Sequence, residues 1–185
     1  MFVRLKKIKG NDYAYLVENS YRKRGSRVCQ KVKKYLGRVF RFSRDNSEFK
    51  YDESYIDKNS AEQIVMDLVK FELVAHGFVL KRIRGGGVRY VRDSIFVDLN
   101  HRKIEISLGN SICLGLNEGV LCDYMLRKLL RFEVDSSFEY DEGDVYSEEE
   151  VKERKAGIIL ARMFVDCGLK ISPAIYLGVF SKVYK

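Results

Sequence analysis

Fourteen of the first 44 residues are Lys or Arg, and only Asp12 and Glu18 oppose them, giving this segment a formal charge of +12. A charged side chain is almost never buried without a partner, because taking an ion out of water is costly. The segment therefore cannot be core on all sides. It can fold only as a layer with one face packed and another in water. Residues 45–185 hold 20 cations and 24 acids, so the whole-chain charge of +8 is owed to the amino end.

Within that segment apolar and cationic residues alternate as in strands, and residues tolerant of tight turns separate the runs. Phe2 to Lys9 reads as one strand, Gly10-Asn11-Asp12 as a turn, and Tyr13 to Ser20 as a second strand. Residues 21–26 form a basic loop around Gly25. Arg27 to Leu36 is a third strand, able to run on past Gly37 to Phe42. A period of two sorts the third strand into a packed face of Val28, Val32 and Leu36 and an open face of Arg27, Lys31, Lys33 and Tyr35.

Residues 45–59 are polar and read as a connection. Ser60 and Gln63 have the spacing of a capping box, and Ile64, Leu68 and Phe71 recur on one side, which predicts a helix ending before Gly77. Residues 78–84, 88–99 and 103–108 read as strands, the first two joined by Gly85-Gly86-Gly87, a hairpin turn rather than an Arg-Gly-Gly segment. Residues 112–116 are a short strand or a buried loop. Asn117 caps a helix through Phe132, residues 133–150 form an acidic loop, and a helix from about Glu148 stops at Gly168. Ser172-Pro173 opens a last short helix, unless residues 174–184 pair as a strand. The fold expected is α+β: a three-stranded antiparallel module over residues 1–44, the connection 45–59, and an α/β core with carboxyl-terminal helices over 60–185.

No apolar run reaches the ~18 to 20 residues needed to cross a bilayer, and the amino end lacks the apolar stretch of a signal peptide. A cytoplasmic location is expected. Cys29, Cys113, Cys122 and Cys167 include no C-x-x-C pair, and His76 and His101 complete no ligand set, so buried free thiols are expected in place of zinc. His76 reads as structural and His101 as part of an exposed turn. There is no G-x-G-x-x-G or G-K-[ST] nucleotide loop, and no Ser, Cys or His spacing points to covalent catalysis.

Lys and Arg at this density neutralise phosphates and release condensed counterions, while tyrosines among them can stack on unpaired bases or lie against sugars. The candidates are Arg22, Lys23, Arg24, Arg27, Lys31, Lys33, Lys34, Tyr35 and Arg38, with Tyr13, Tyr15 and Tyr21 nearby. A solvated cationic surface that only confers solubility is the simpler alternative. An acidic protein or an anionic membrane would also answer to the charge, but no amphipathic helix in the segment supports a membrane. The partner expected is DNA, RNA or a ribonucleoprotein such as the ribosome. The run Tyr15-Leu16-Val17-Glu18-Asn19-Ser20-Tyr21-Arg22, with Gly25, Arg27, Gln30-Lys31-Val32 and Lys34-Tyr35-Leu36-Gly37, resembles the amino-terminal segment of some DDE-type insertion-sequence transposases. The resemblance covers about residues 2–40 and implies a nucleic-acid context. It does not imply transposition, because a catalytic domain of that family does not fit in the remainder. Val28-Cys29 departs from its pattern.

A helix, three strands and a helix over residues 60–132 would have the αβββα order of restriction-endonuclease-like nucleases, which the segment resembles in topology. Such a site gathers two acids and a Lys around Mg²⁺ or Mn²⁺ to activate water. Asp93 or Asp98 would be one acid, Glu105 the other, and Lys103 lies two residues from Glu105 on the same strand face, with Asp67 or Glu72 able to reach in from the helix. The family presents Glu-x-Lys, whereas Lys103-Ile104-Glu105 is followed by Ser107 in the Lys position. Cross-strand surface pairing is the plain alternative for Asp93, Asp98, Lys103 and Glu105. The function expected is nucleic-acid binding without catalysis or cofactor, with a metal-dependent nuclease as the alternative.

Overall fold

The computed structural model describes residues 1–21, 28–52, 54–83, 87–107, 109–132 and 148–184. Lys9 and Gly10, both at positive φ (48° and 83°), close a two-residue turn between β1 (Phe2–Ile8) and β2 (Asn11–Tyr21). A turn left-handed at both central residues matches the right-handed twist of the strands it joins, which is why Gly is placed there. β2 then pairs antiparallel with β3 (Val28–Arg41), so the three-stranded antiparallel unit expected at the amino end is present.

The one-turn helix α1 (Tyr55–Lys58) leads into α2 (Ala61–Ala75), capped as its sequence requires: Ser60 Oγ accepts a hydrogen bond from the Gln63 N–H at 3.1 Å. Residues ahead of these helices pack as well as connect. Phe49 stacks on Tyr51 and meets Phe71 edge-on, and the Tyr51 hydroxyl lies 2.9 Å from Ser172 Oγ. Four short strands follow as an antiparallel meander: β4 (Val79–Arg82), β5 (Val88–Arg92), β6 (Ile95–Asp98) and β7 (Lys103–Ile106). Residues 88–99, expected as one strand, are two, because Asp93 takes φ 53° and turns the chain back with Ser94. The short polar side chain of Asp tolerates that left-handed backbone.

β8 (Cys113–Leu116) and β9 (Gly119–Cys122) form a hairpin over residues where a strand or buried loop and the start of a helix were expected. Asn117 is its turn residue, at φ 47°, and α3 (Asp123–Arg131) begins only after β9. Asn suits a helix cap and a left-handed turn equally, and tertiary contact decides here. Its side-chain amide donates to Gly168 O at 2.7 Å and to Glu72 Oε2 at 3.1 Å. Six strands thus separate α2 from α3, in place of the three or four expected.

β8 runs parallel to the end of β3, with Val39, Phe40 and Arg41 opposite Cys113, Leu114 and Gly115, so the first sheet has the order β1-β2-β3-β8-β9. α4 (Glu148–Cys167) packs on β9, and α5 (Pro173–Val183), capped by Ser172, packs on α1 and α2. The acidic loop expected over 133–150 lies outside the described residues up to Ser147. The core of Ile64, Leu68, Phe78, Leu114, Leu126 and Phe164 lies between sheet and helices, and Cys113, Cys122 and Cys167 are buried and free. No helix among the described residues is long and apolar enough to cross a membrane.

Candidate nucleic-acid interface

β1 and β2 share a regular antiparallel register, so directly opposed residues point to the same face. Ala14 and Leu16 are buried in the core, which directs Tyr13 and Tyr15 to the opposite face. The register places Lys6 opposite Tyr13 and Tyr13 opposite Arg38, and it places Arg4 opposite Tyr15 and Tyr15 opposite Tyr35. Two rows therefore cross the sheet side by side, Lys6–Tyr13–Arg38 and Arg4–Tyr15–Tyr35. Arg4, Lys6, Tyr35 and Arg38 are exposed, and Tyr13 and Tyr15 are half-buried.

The rings touch. Tyr35 lies 5.4 Å from Tyr15 and 6.3 Å from Tyr13 between centroids, tilted by 52° and 40°. Partial burial pushes the Tyr35 phenol above its ordinary pKa, and the neighbouring phenols of Tyr13 and Tyr15 add to this against the pull of Arg38, so Tyr35 is neutral at physiological pH. Neutral amides hold two of the cations: Arg38 Nη2 donates to Asn11 Oδ1 at 2.6 Å, and the Arg4 guanidinium donates to Gln30 Oε1. These bonds fix direction without cancelling charge. The Arg38 guanidinium also lies 4.9 Å over the ring of Phe40.

The third strand does not keep the period of two expected of it. Register shifts fall between Ala14 and Tyr15 and between Leu16 and Val17, so that Leu36 and Lys33 are extra residues on the β3 side. Each bulge reverses the alternation. Val32 is carried to the tyrosine face opposite Val17 and is 58% exposed, while Lys31 faces the other way, opposite Glu18. Lys31 and Tyr35 therefore do not share a face, and of the three apolar residues expected to pack, Leu36 is buried and Val32 is not. Lys33, in the bulge, pairs with Glu18 at 2.6 Å, and that hydrogen bond holds the Glu18 carboxyl below its usual pKa.

β1 begins opposite Val17, so from Glu18 outward β2 pairs with β3 alone and the sheet narrows to a two-stranded ribbon. Lys31 is exposed on it, and Lys33 and Lys34 are exposed just inside, where β1 still flanks β2. The ribbon's paired ends, Tyr21 and Val28, are joined by residues 22–27; Arg22, Lys23, Arg24 and Arg27 lie outside the described residues. Arg4 and Lys6 were not among the candidates read from sequence. A signal for them existed: Val3 and Leu5 alternate with Arg4 and Lys6, and a two-residue turn at Lys9-Gly10 fixes which tyrosine each one faces.

No family model, curated protein or solved structure matches the chain. Asp98, Lys103 and Glu105 share one face of the meander, with Asp98 opposite Lys103 and Glu105 opposite Phe96. Asp93 sits apart from them, in the turn at the other end of β6. Arg89 reaches both acids, its Nε 3.1 Å from Asp98 and its Nη1 3.5 Å from Glu105. Asp98 also accepts from the His101 backbone N–H at 3.0 Å and lies 3.0 Å from His101 Nδ1. Burial raises the Asp98 pKa, but the bonds from His101 and Arg89 outweigh it and hold the carboxyl below its ordinary value. A guanidinium thus occupies the space between the carboxylates where a cation would be held. Asp67 is engaged elsewhere, with Tyr55, Gln63 and Lys70, and Glu72 is buried against Arg44. Among the described residues no three His, Cys, Asp or Glu side chains converge as metal ligands.

Proposed function

We propose that the protein binds nucleic acid without acting on it chemically, holding the phosphate backbone through the cations of β1, β2–β3 and the residues that join them. The observation that carries this reading is uncompensated charge. The two acids of the segment are already engaged, Glu18 with Lys33 and Asp12 with Arg41. Among the described residues no carboxylate comes within ion-pair reach of Arg4, Lys6, Lys31, Lys34 or Arg38, all of them exposed. Arg22, Lys23, Arg24 and Arg27 add four further positive charges between the strand ends. Such a surface attracts a polyanion over a distance of about 8 Å at physiological salt.

The partner is DNA, RNA or a ribonucleoprotein, met in the cytoplasm, a setting with which the buried thiols of Cys113, Cys122 and Cys167 agree. Binding weakens with salt, with a log-log slope of about 0.9 per phosphate contacted on a duplex or about 0.7 on a single strand. Replacing Arg22, Lys23, Arg24 and Lys31 by Ala flattens that slope. The assay is fluorescence anisotropy of labelled oligonucleotides and co-sedimentation with ribosomes at graded salt. A protein that ignores DNA, RNA and ribosomal particles alike in dilute buffer refutes the proposal.

A further inference from the structure

The tyrosine face selects among nucleic acids, and the inference here rests on the nucleic-acid reading just given. We propose that the occupant of this face is a single strand, whose unpaired bases stack on Tyr35 and its neighbours Tyr15 and Tyr13 while Arg4, Lys6 and Arg38 hold the phosphates on either side. Phosphate contact alone gives no reason to leave apolar surface in water, yet Tyr35 is 53% and Val32 58% exposed on the same face. Both stand in the cross-strand series that contains Tyr13 and Tyr15. An exposed ring face can lie against a sugar, but it buries most against another ring face. A duplex has none free along its length; a single strand offers one at every nucleotide.

The layout fits that use. In the first row Tyr13 stands between Lys6 and Arg38, and in the second Arg4 stands outside the contacting pair Tyr15 and Tyr35. Arg4 and Lys6 line the β1 margin, Tyr13 and Tyr15 stand on the middle strand, and Tyr35 and Arg38 stand on β3, so bases can lie over the three rings with the backbone along β1 and past Arg38. Adjacent strands are about 4.8 Å apart, which sets the three-stranded face at about 10 Å between outer backbones before any side chain is counted. Pressed flat, that face is too broad for a major groove of about 12 Å, which admits a helix or a two-stranded ribbon. The tilt of Tyr35 against both partners prevents the rings from closing on one another as a parallel stack.

The chain has 12 Tyr and no Trp, so its intrinsic emission reports on tyrosine directly. The probes are oligothymidylate and oligouridylate of about twelve nucleotides, a length within the span of one single-strand-binding surface, and a duplex of equal length. The expected result is quenching of tyrosine emission by the single strands and binding at least about tenfold tighter than to the duplex at equal salt. Tyr35→Ala weakens single-strand binding about five- to hundredfold, the range for loss of one base–aromatic stack. It leaves the salt slope unchanged, Tyr35→Phe keeps wild-type affinity, and Tyr35→Leu, which keeps apolar bulk without a π-face, behaves like Ala. The two single strands separate DNA from RNA as the source. Equal or tighter duplex binding, or wild-type single-strand affinity in both Tyr35→Ala and Tyr35→Leu, overturns the single-strand assignment and leaves phosphate binding standing. Absence of binding to every probe overturns both.

Discussion

Arg44 grips the carboxylate of Glu72 with two nitrogens, Nε at 3.0 Å from Oε2 and Nη2 at 3.3 Å from Oε1, and the Glu72 side chain is completely buried. His76 Nδ1 lies 3.5 Å from the same carboxylate, and Asn117 donates to it at 3.1 Å. A guanidinium just beyond β3 is thereby joined to α2 and to the β8–β9 turn. An ion pair taken out of water gives little net stability when whole, but removing one partner strands a buried charge at a cost of about 3 to 5 kcal/mol. Arg44→Ala is expected to destabilise the protein by about 3 kcal/mol in urea unfolding. Arg44→Ala combined with Glu72→Gln recovers part of the loss, and a double variant no better than the single would deny the pair this role.

The same corner depends on two glycines. A Cβ on Gly119 would come within 2.1 Å of Gly168 N, and one on Gly168, at φ 73°, within 2.0 Å of Leu116 O. Both neighbours are backbone, so neither can swing aside. Overpacking of this kind costs about 1 to 3 kcal/mol or more. Gly119→Ala and Gly168→Ala are each expected to lose at least about 2 kcal/mol, read as a lower urea midpoint. Gly10→Ala supplies the control: at φ 83° it is strained, but nothing lies within 4 Å, and about 1 kcal/mol is expected.

Asp98 makes stability depend on acid. Its folded-state pKa lies below the ordinary aspartate value of about 3.9 because His101 and Arg89 favour the ionised form despite burial. The sign follows from proton uptake: the unfolded chain binds this proton first as pH falls. The contribution is whole above about pH 4 and is lost as pH drops through the lower, folded value. Unfolding free energy measured from pH 6 down to about pH 2 should fall less steeply in Asp98→Asn than in the wild type. Parallel curves would show that the two bonds do not favour the carboxylate.

Much of the architecture is legible in residues whose chemistry has one use. The Ser60–Gln63 cap is used as expected, and Gly10 turns the chain as expected, although the turn is Lys9-Gly10 and Asn11 and Asp12, expected in it, belong to β2. Other residues serve two purposes, and their neighbours decide. Asn117 could cap a helix or turn a hairpin, and Asp93 could sit in a strand or end one. The site was legible in its charge and not in its facing, because a bulge is set by how a strand meets its partner. Nothing in Lys33 or Leu36 announces an extra residue, yet the shift at Lys33 moves Lys31 off the face of Tyr35 and brings Val32 onto it, and the shift at Leu36 puts Tyr35 on the face of Arg38.

Divalent cations should leave both the protein and its ligands unchanged. Arg89 already bridges Asp98 and Glu105, and Asp93 stands at the far end of β6, so Mg²⁺ or Mn²⁺ would have to displace a guanidinium to bind there. Thermal unfolding with and without millimolar amounts of either ion is expected to coincide, and labelled DNA and RNA are expected to stay intact. Cleavage that disappears in Glu105→Ala would restore the nuclease alternative.

Glu18 restrains the basic surface it belongs to. Its carboxylate holds Lys33 at 2.6 Å, and both side chains remain substantially exposed, so the pair is a local neutralisation and not a structural tie. Glu18→Gln removes the negative charge from the start of the ribbon and frees the Lys33 ammonium for phosphate. Affinity should rise several-fold at low salt, and the magnitude of the log-log salt slope should increase by about 0.7 to 0.9, the signature of one more phosphate contact. Lys33→Ala in the wild type, where the ammonium is already engaged, is expected to cost less affinity than Lys31→Ala or Lys34→Ala. In the Glu18→Gln background the same change costs as much as theirs, so an unaltered slope in Glu18→Gln would mean that the nucleic acid lies elsewhere on the sheet.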